Sequence, residues 1–244
     1  NILPFIDSIQ AVSEIQQIVQ LHYEQNLVSF YALPDANGTP IEEVLSSECF
    51  TAAVSESAAA LMNTEWDFED DEWATNDGLG YWMGTLTSLD NLHGYWIRST
   101  CTSENISILG PPVAPPTYQL HTGGNLISFP SAGQVGIGNA IDDDVEQFFH
   151  SIVGESSATM RTPNGDWVGS LEGFSGGNGY WINSLNTDDF EFSYNLSNLV
   201  LSRSFNNSVY DLDVDEVMYN QSTQQAFYFM DLEYLNNPNI MHGD

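Results

Sequence analysis

Alternation of apolar and polar residues predicts β-strands in much of this chain. Residues 190–194 read Phe-Glu-Phe-Ser-Tyr, and Ile127 and Phe129 flank Ser128 in the same way. A period of two is typical of a half-buried strand, because successive side chains point to opposite faces of a sheet. Residues 106–108, Ile-Ser-Ile, show the same pattern. We therefore expect a strand-dominated fold.

Turn-forming residues divide these strands. Residues 162–166 contain Pro, Asn and Gly and predict a turn, so that residues 158–161 and 167–171 form a hairpin. The Gly-rich residues 173–179 predict a second tight connection, which leads to a strand at residues 180–182.

Three segments are expected to be helical. Residues 41–50 follow Thr39 and residues 141–152 follow Asn139; both segments begin with acidic residues, which suit the positive end of a helix dipole. Residues 1–18 predict a short N-terminal helix from apolar residues at helical spacing, which are Phe5, Ile9, Val12 and Ile15. The fold class expected is α+β, with strands dominant.

Comparison of the chain with itself shows a repeat. The words Gln-Leu-His, Asn-Leu-x-Ser-Phe and Val-x-Glu-Ser recur at an offset of 99 residues, and the words Trp-x-Gly-x-Leu and Gly-Tyr-Trp-Ile recur at an offset of 85 residues. The first copy therefore contains 14 extra residues between about residues 63 and 80. We interpret the chain as two tandem copies of a small antiparallel β unit with one helix each.

The repeat divides the chain into five parts. These are the N-terminal helical segment (1–18), a first module (19–110), a Pro-rich linker (111–117), a second module (118–195), and residues 196–244, which are either the start of a further β domain or strands that complete a neighbour. Because proline restricts φ and favours extended geometry, we expect the linker to be stiff and to hold the copies apart.

The charge excludes several classes of partner. The chain has 34 Asp and Glu against 3 Arg and no Lys, a formal net charge of −31. Binding to nucleic acid or to an anionic lipid surface needs a basic patch, which Arg98, Arg161 and Arg203 cannot provide. A hydrophobic content of 42% is sufficient for a folded core. No apolar run approaches the roughly 20 residues of a membrane helix, so we expect no membrane insertion.

The acidic insertion of the first copy is the candidate metal site. It contains carboxylates that could supply the oxygen ligands of Ca²⁺: Asp67, Glu69, Asp70, Asp71, Glu72 and Asp77. A solvated acidic surface is the alternative. Trp66 and Trp73 flank this cluster and are candidates for stacking on a sugar ring, or else they pack within their own hairpin.

The two cysteines leave two possibilities. Cys49 and Cys101 could form a disulfide, or they could be two small buried hydrophobic residues.

Catalytic motifs are lacking in the sequence. No Cys/His cluster has zinc spacing, and no Gly-x-Ser-x-Gly motif is present. His22 and His121 are equivalent in the repeat, which indicates a structural role. An enzyme is not expected.

The ordered words Asn-Leu-Ile-Ser-Phe-Pro (125–130), Trp-Val-Gly-Ser-Leu (167–171) and Gly-Tyr-Trp-Ile (179–182) resemble a repeat family. That family occurs in large secreted or surface-attached proteins of marine and other environmental bacteria and in some virion structural proteins of marine phages. The resemblance implies an extracellular, non-catalytic structural or assembly module on a cell surface or a virion, acting by spacing, self-association or host contact. Its partners would be further copies of itself or other surface or virion proteins. The alternative is a carbohydrate-binding or adhesion module that contacts glycans.

Overall fold

A computed structural model describes residues 14–63 and 80–201 in full and the backbone of residues 66–67 and 72–73. In chain order the elements are β1 (Ile15–Ser29), β2 (Thr39–Pro40), α1 (Ile41–Val44), β3 (Phe50–Val54), β4 (Ala59–Asn63), β5 (Trp66–Asp67), β6 (Glu72–Trp73), β7 (Tyr81–Gly84), β8 (Ser88–Leu89), β9 (Gly94–Gly110), β10 (Tyr118–Leu120), β11 (Gly123–Ser128), β12 (Gln134–Gly136), α2 (Ile137–Ala140), α3 (Asp143–Glu146), β13 (Phe149–Val153), β14 (Ala158–Arg161), β15 (Trp167–Gly169), β16 (Gly173–Ser175), β17 (Gly179–Ser184) and β18 (Phe190–Phe192). The expectation of a strand-dominated, antiparallel fold is confirmed.

Two five-stranded antiparallel sheets organise the molecule. The first, in residues 14–110, has the order β1-β9-β3-β4-β7, and the second, in residues 118–201, has the order β11-β17-β13-β14-β15. We call these two parts of the chain the first half and the second half. In each sheet, the strand that comes first in the chain pairs with the strand that comes last. Both sheets therefore have the same connectivity.

Each sheet covers a hydrophobic core of its own. In the first half, Phe30, Tyr95 and Ile97 are buried with residues of β1 and α1. In the second half, Phe129 and Phe174 stack with their ring centroids 6.0 Å apart, inside an aromatic cluster that includes Tyr194. The alternation seen in the sequence therefore separates a core face from an outer face in both sheets.

The hairpin expected in the second half is confirmed. β14 pairs with β15 in antiparallel register, from Thr159 opposite Gly169 to Arg161 opposite Trp167. The turn is closed by hydrogen bonds from the N–H of Thr162 to the carbonyl of Asp166 (2.8 Å) and from the N–H of Gly165 to the carbonyl of Thr162 (2.9 Å).

The helix predictions were largely wrong. Residues 41–50 contain one helical turn, α1, and then pass into β3, while residues 141–152 contain the turn α3 and most of β13. Both segments enter the central part of a sheet, where pairing with β9 or β17 outweighs local helical preference. Of the predicted N-terminal helix, residues 15–18 belong to β1, and residues 1–13 lie outside the described residues.

Two further expectations are corrected. Residues 173–179 were expected to form only a tight connection, but they also contain the strand β16, which pairs with β12. The linker 111–117 has no regular secondary structure, but it does not hold the halves apart, since direct hydrogen bonds join them. Within the described residues, no helix is long and apolar enough to cross a membrane.

Candidate functional site at the junction of the two halves

A glutamate from each half reaches across to the other half. Glu56 lies in the turn between β3 and β4, and Glu155 lies in the turn between β13 and β14. Each turn is closed by a 2.8 Å hydrogen bond, from the N–H of Ser55 to the carbonyl of Ala58 and from the N–H of Gly154 to the carbonyl of Ser157. These short turns place a carboxylate beyond the end of its own sheet.

Each carboxylate binds the same two groups of the opposite half. The Oε2 of Glu56 accepts a hydrogen bond from the N–H of Leu126 at 2.8 Å, and its Oε1 lies 2.5 Å from the Nε2 of His121. We call this set the first clasp.

The second clasp repeats the first with the halves exchanged. The Oε2 of Glu155 accepts from the N–H of Leu27 at 2.8 Å, and its Oε1 contacts the Nε2 of His22. All three residues of the second clasp are related to those of the first by the sequence offset of 99.

A buried asparagine positions each histidine. In the first half, Asn26 accepts from the N–H of His22 at 2.8 Å and donates to the carbonyls of His22 and Glu24. Asn125 makes the same bonds with His121 and Gly123 in the second half. Both asparagines are 2% exposed, so their side chains are fixed parts of the loop that carries the histidine.

The backbone between histidine and asparagine adopts a positive φ in both halves. The value is 94° at Gly123 and 74° at Glu24, which is the only non-glycine residue with positive φ among those described. A side chain at such a position costs roughly 1 kcal/mol. The loop shape is therefore retained in the first half without the glycine that suits it.

The surroundings of the histidine rings favour a positive charge. The Nδ1 of His22 lies 2.7 Å from the carbonyl of Tyr23, and the Nδ1 of His121 lies 2.8 Å from the carbonyl of Thr122. The Nε2 of each ring faces a carboxylate. Because a carbonyl and an ionised carboxylate can only accept, a ring that makes both hydrogen bonds donates from both nitrogens and is an imidazolium.

The electrostatic environment agrees with this protonation state. The hydrogen bond to Glu155 raises the pKa of His22 above its usual value, against the effect of burial. Hydrogen bonds to the Thr122 carbonyl and to Glu56 raise the pKa of His121, with a smaller contribution from the charge of Asp189. In a chain with 3 Arg and no Lys, these rings supply local cations.

Paired serines extend the junction. The N–H of Ser29 donates to the carbonyl of Gly177 at 2.8 Å, and the N–H of Ser128 donates to the carbonyl of Leu92 at 3.0 Å. The Ser29 hydroxyl donates to the carbonyl of Asn178 at 2.7 Å. Both serines are 0% exposed, so the junction contains buried and hydrogen-bonded polar groups.

Two glycines allow the backbones of the halves to meet. A Cβ on Gly179 would lie 2.8 Å from the carbonyl oxygen of Val28 and 3.1 Å from the Cα of Gly94. A Cβ on Gly94 would lie 2.8 Å from a methyl group of Leu126. Only glycine fits this close approach, and Leu27 and Leu126 are buried beside it.

The two clasps and the two isolated bridges are reciprocal. Glu56, His121 and Leu126 match Glu155, His22 and Leu27, and the isolated bridge between Val28 and Asn178 matches the bridge between His93 and Ile127. This arrangement is that of an isologous interface, in which one surface patch meets an equivalent patch across a two-fold axis.

The halves differ beside the first clasp. His93 contacts both carboxylate oxygens of Asp90, at 2.8 and 2.9 Å from its Nδ1. Burial of Asp90 opposes ionisation, but the hydrogen bond and charge of His93 outweigh it and lower the pKa of Asp90. The hydrogen bond to Asp90 raises the pKa of His93, and the charge of Glu56 adds to this effect. The positions that correspond in the second half hold Ser175 and Asn178.

Comparison with models of known families, with curated proteins and with solved structures found no match for this chain. The resemblance to bacterial and phage repeat proteins therefore stays a prediction. The evidence for a function comes from the site, the disulfide and the charge.

Half of the predicted calcium and glycan residues lie outside the described part of the chain, and only the backbone of the other half is described. Glu69, Asp70, Asp71 and Asp77 are not described. The backbones of Asp67 and Glu72 are register partners in the β5–β6 ladder, as are those of Trp66 and Trp73. Calcium binding and glycan stacking at this insertion stay predictions.

Cys49 and Cys101 form a disulfide in the structure, with their Cα atoms 5.4 Å apart. Together with Glu104 they are the one group of possible metal-ligand side chains found close together in the described residues. The disulfide leaves neither sulfur as a thiolate, so this group has no thiolate ligand to offer.

The sequence shows the recurring words, but it does not predict the two clasps that their residues form. Gln-Leu-His, Asn-Leu-x-Ser-Phe and Val-x-Glu-Ser each contribute residues to the junction. The signal available was the recurrence of polar residues, namely one His, one Asn and one Glu per copy. This recurrence does not show which half each residue contacts.

Proposed function

We propose that this chain is a non-catalytic structural module of an extracellular assembly, on a cell surface or a virion, built from two tandem copies of one β unit. The observation that carries the proposal is the reciprocal junction. The recurring polar residues bind the opposite half, and they are thereby occupied in holding the two units together.

The chemistry of the recurring residues supports an architectural role. His22 and His121 each have both ring nitrogens bound to acceptor oxygens, so neither has a free lone pair to act as a base. Glu56 and Glu155 each accept from two donors of the opposite half. These four side chains are therefore engaged in structure.

An extracellular location is supported by the disulfide and by the charge. Disulfides persist in oxidising compartments and are rare in the cytosol. A net charge of −31 is tolerable where salt is high, since the Debye length falls to roughly 3 Å at 1 M ionic strength. Divalent cations would also cross-link such an acidic surface, which suits Ca²⁺ as an assembly factor.

Assembly of the purified chain is the decisive measurement. We expect light scattering to show particles larger than a monomer in seawater-like salt, with further growth when Ca²⁺ replaces Mg²⁺ at equal ionic strength. A chain that stays monomeric in every salt and retains no surface or virion protein in pull-down experiments would contradict the proposal.

A carbohydrate-binding or adhesion module is the second candidate. It is favoured by the direct register pairing of Trp66 with Trp73 beside acidic residues in the insertion. A glycan array separates the two functions. Retention of a defined glycan by the wild-type chain, lost in Trp66→Ala and Trp73→Ala but kept in Trp96→Ala, would favour binding over assembly.

A further inference from the structure

The junction between the halves is self-complementary. Each half carries a histidine loop that donates and a glutamate turn that accepts, and both are used at once. A surface of this kind fits any second unit that carries the same two elements. Each chain contains two such units.

The connector between the halves lies outside both five-stranded sheets. Residues 111–117 form no strand or helix, and most of them are exposed. Neither five-stranded sheet includes a strand from the other half, so opening at the connector leaves both sheets complete. The interactions lost on opening are those of the junction.

We propose that this junction is also an intermolecular docking surface, occupied by a second copy of this chain through exchange of halves. The first half of one chain binds the second half of another, with Glu56 of one chain on His121 and Leu126 of the other and Glu155 on His22 and Leu27. Reciprocal exchange closes a dimer, and staggered exchange extends a polymer. The inference rests on the proposed assembly function and names its surface and partner.

The partner is a second copy for reasons of charge and shape. A strongly anionic chain repels its own copies, yet each clasp brings an imidazolium to a carboxylate and so provides local attraction. The close approach of Gly94 to Gly179 also requires a backbone with glycine at the same place. An unrelated partner would have to reproduce both features.

A mixing experiment with full-length variants tests the exchange. Glu56→His places two histidines in the first clasp of its own chain, and His121→Glu places two glutamates there. In an exchanged heterodimer of these two variants, the two introduced side chains would face each other, and the native Glu56 would meet the native His121. All four clasps then contain a histidine and a carboxylate. We expect heterodimer by native mass spectrometry in the mixture and far less dimer in either variant alone.

The matched control mixes two variants whose introduced side chains do not face each other in the exchanged dimer. When His121→Glu is mixed with Glu155→His, the exchanged heterodimer has two broken clasps, as many as the two separate monomers. We expect the first mixture to exceed this control in dimerisation constant by about tenfold for the native clasp that is restored. The gain from the reversed clasp is smaller, because its introduced histidine leaves the N–H of Leu126 without the carboxylate that accepts from it. Equal dimer fractions in both mixtures, with all variants folded by circular dichroism, would overturn the proposal.

A wild-type measurement covers the case in which a variant does not fold. Because a short tether raises the effective concentration of the attached half to the order of 1 mM, exchange in the wild type requires protein concentrations at or above this value. We expect refolding at such concentrations to yield a dimer that survives dilution, whereas refolding at low concentration yields monomer. Monomer under both conditions overturns the exchange of halves. If the salt experiment nevertheless shows particles, the assembly function stands and uses another surface.

Discussion

At the residue scale, Glu56 and Glu155 each satisfy a backbone N–H and an imidazole of the opposite half. We predict that Glu56→Gln and Glu155→Gln each lower the free energy of unfolding by about 1–3 kcal/mol, because an amide has one acceptor oxygen for two donors. Chemical denaturation measures the loss. Glu42→Gln, at an exposed position in α1, is the matched control and should change stability by no more than about 0.5 kcal/mol.

The same clasps predict a dependence on pH. The pKa values of His22 and His121 are raised in the folded state, so their contribution to stability is complete below the unfolded value of about 6.5 and is lost as pH rises through the folded values. We expect the melting temperature to fall from pH 6 to pH 8 on account of these groups.

A double variant separates this effect from other titrations. His22→Gln with His121→Gln should flatten the pH dependence of the melting temperature, and the slope that remains should come chiefly from His93, whose pKa is also raised. An unchanged slope in the double variant would show that the clasps do not titrate in this range.

Gly179 provides a third test at the residue scale. We predict that Gly179→Ala lowers stability by about 1–3 kcal/mol, because the new methyl group would lie 2.8 Å from the carbonyl oxygen of Val28. Gly138→Ala is the control, since a Cβ there meets nothing within 4 Å and its φ is not positive. That variant should be neutral or slightly stabilising by thermal denaturation.

At the scale of elements, the long strands β1 and β9 of the first half correspond to two shorter pairs in the second half. β1 and β9 pair along their length with a bulge between His22 and Glu24, whereas β10–β18 and β11–β17 are separate ladders. The break falls at the histidine loop in both halves. The loop that builds the clasps therefore determines where each sheet is interrupted.

The disulfide joins β9 to the segment that precedes β3. Cys49 and Cys101 are 52 residues apart, so their bond closes a long loop of the unfolded chain. We predict that Cys49→Ser with Cys101→Ser lowers stability by about 2–4 kcal/mol by guanidinium denaturation. Reduction of the wild type should give a similar loss. Detection of two free thiols in the untreated wild type would refute the bond.

At the scale of the whole molecule, the charge of −31 destabilises the compact state by self-repulsion. We predict that raising NaCl from about 10 mM to about 0.5 M increases stability by about 1 kcal/mol, or roughly 2–4 °C in melting temperature. Differential scanning calorimetry measures the shift. A decrease with salt would mean that the attractive clasps outweigh the general repulsion.

Calcium is tested by comparison at constant ionic strength. A melting temperature higher in Ca²⁺ than in Mg²⁺, and lowered by EDTA, would support a bound ion at Asp67, Glu69, Asp70, Asp71, Glu72 or Asp77. Replacing Asp70 and Asp71 by Asn should then remove the difference. Equal melting temperatures would favour the solvated acidic surface.

The features that could be predicted from the amino-acid sequence alone were local. A period of two in hydrophobicity predicted strands around residues 127–129 and 190–194, where the structure has β11 and β18, and turn residues predicted the hairpin of β14 and β15. These predictions succeed because side-chain direction and turn geometry depend on near neighbours. The recurring words also marked the residues that matter for the junction.

How those residues meet became known from the three-dimensional fold. Glu56 binds Leu126, 70 residues away, and Glu155 binds Leu27, 128 residues away. A repeat in the sequence is equally compatible with copies held apart and with copies packed face to face. Which of these two arrangements forms depends on contacts between residues far apart in the sequence. These are the carboxylates that accept from a backbone N–H of the opposite half and the glycines that let the two backbones approach. No short stretch of sequence predicts either contact. For the same reason, residues 41–50 and 141–152 became short turns followed by strands once a sheet was present to pair with them.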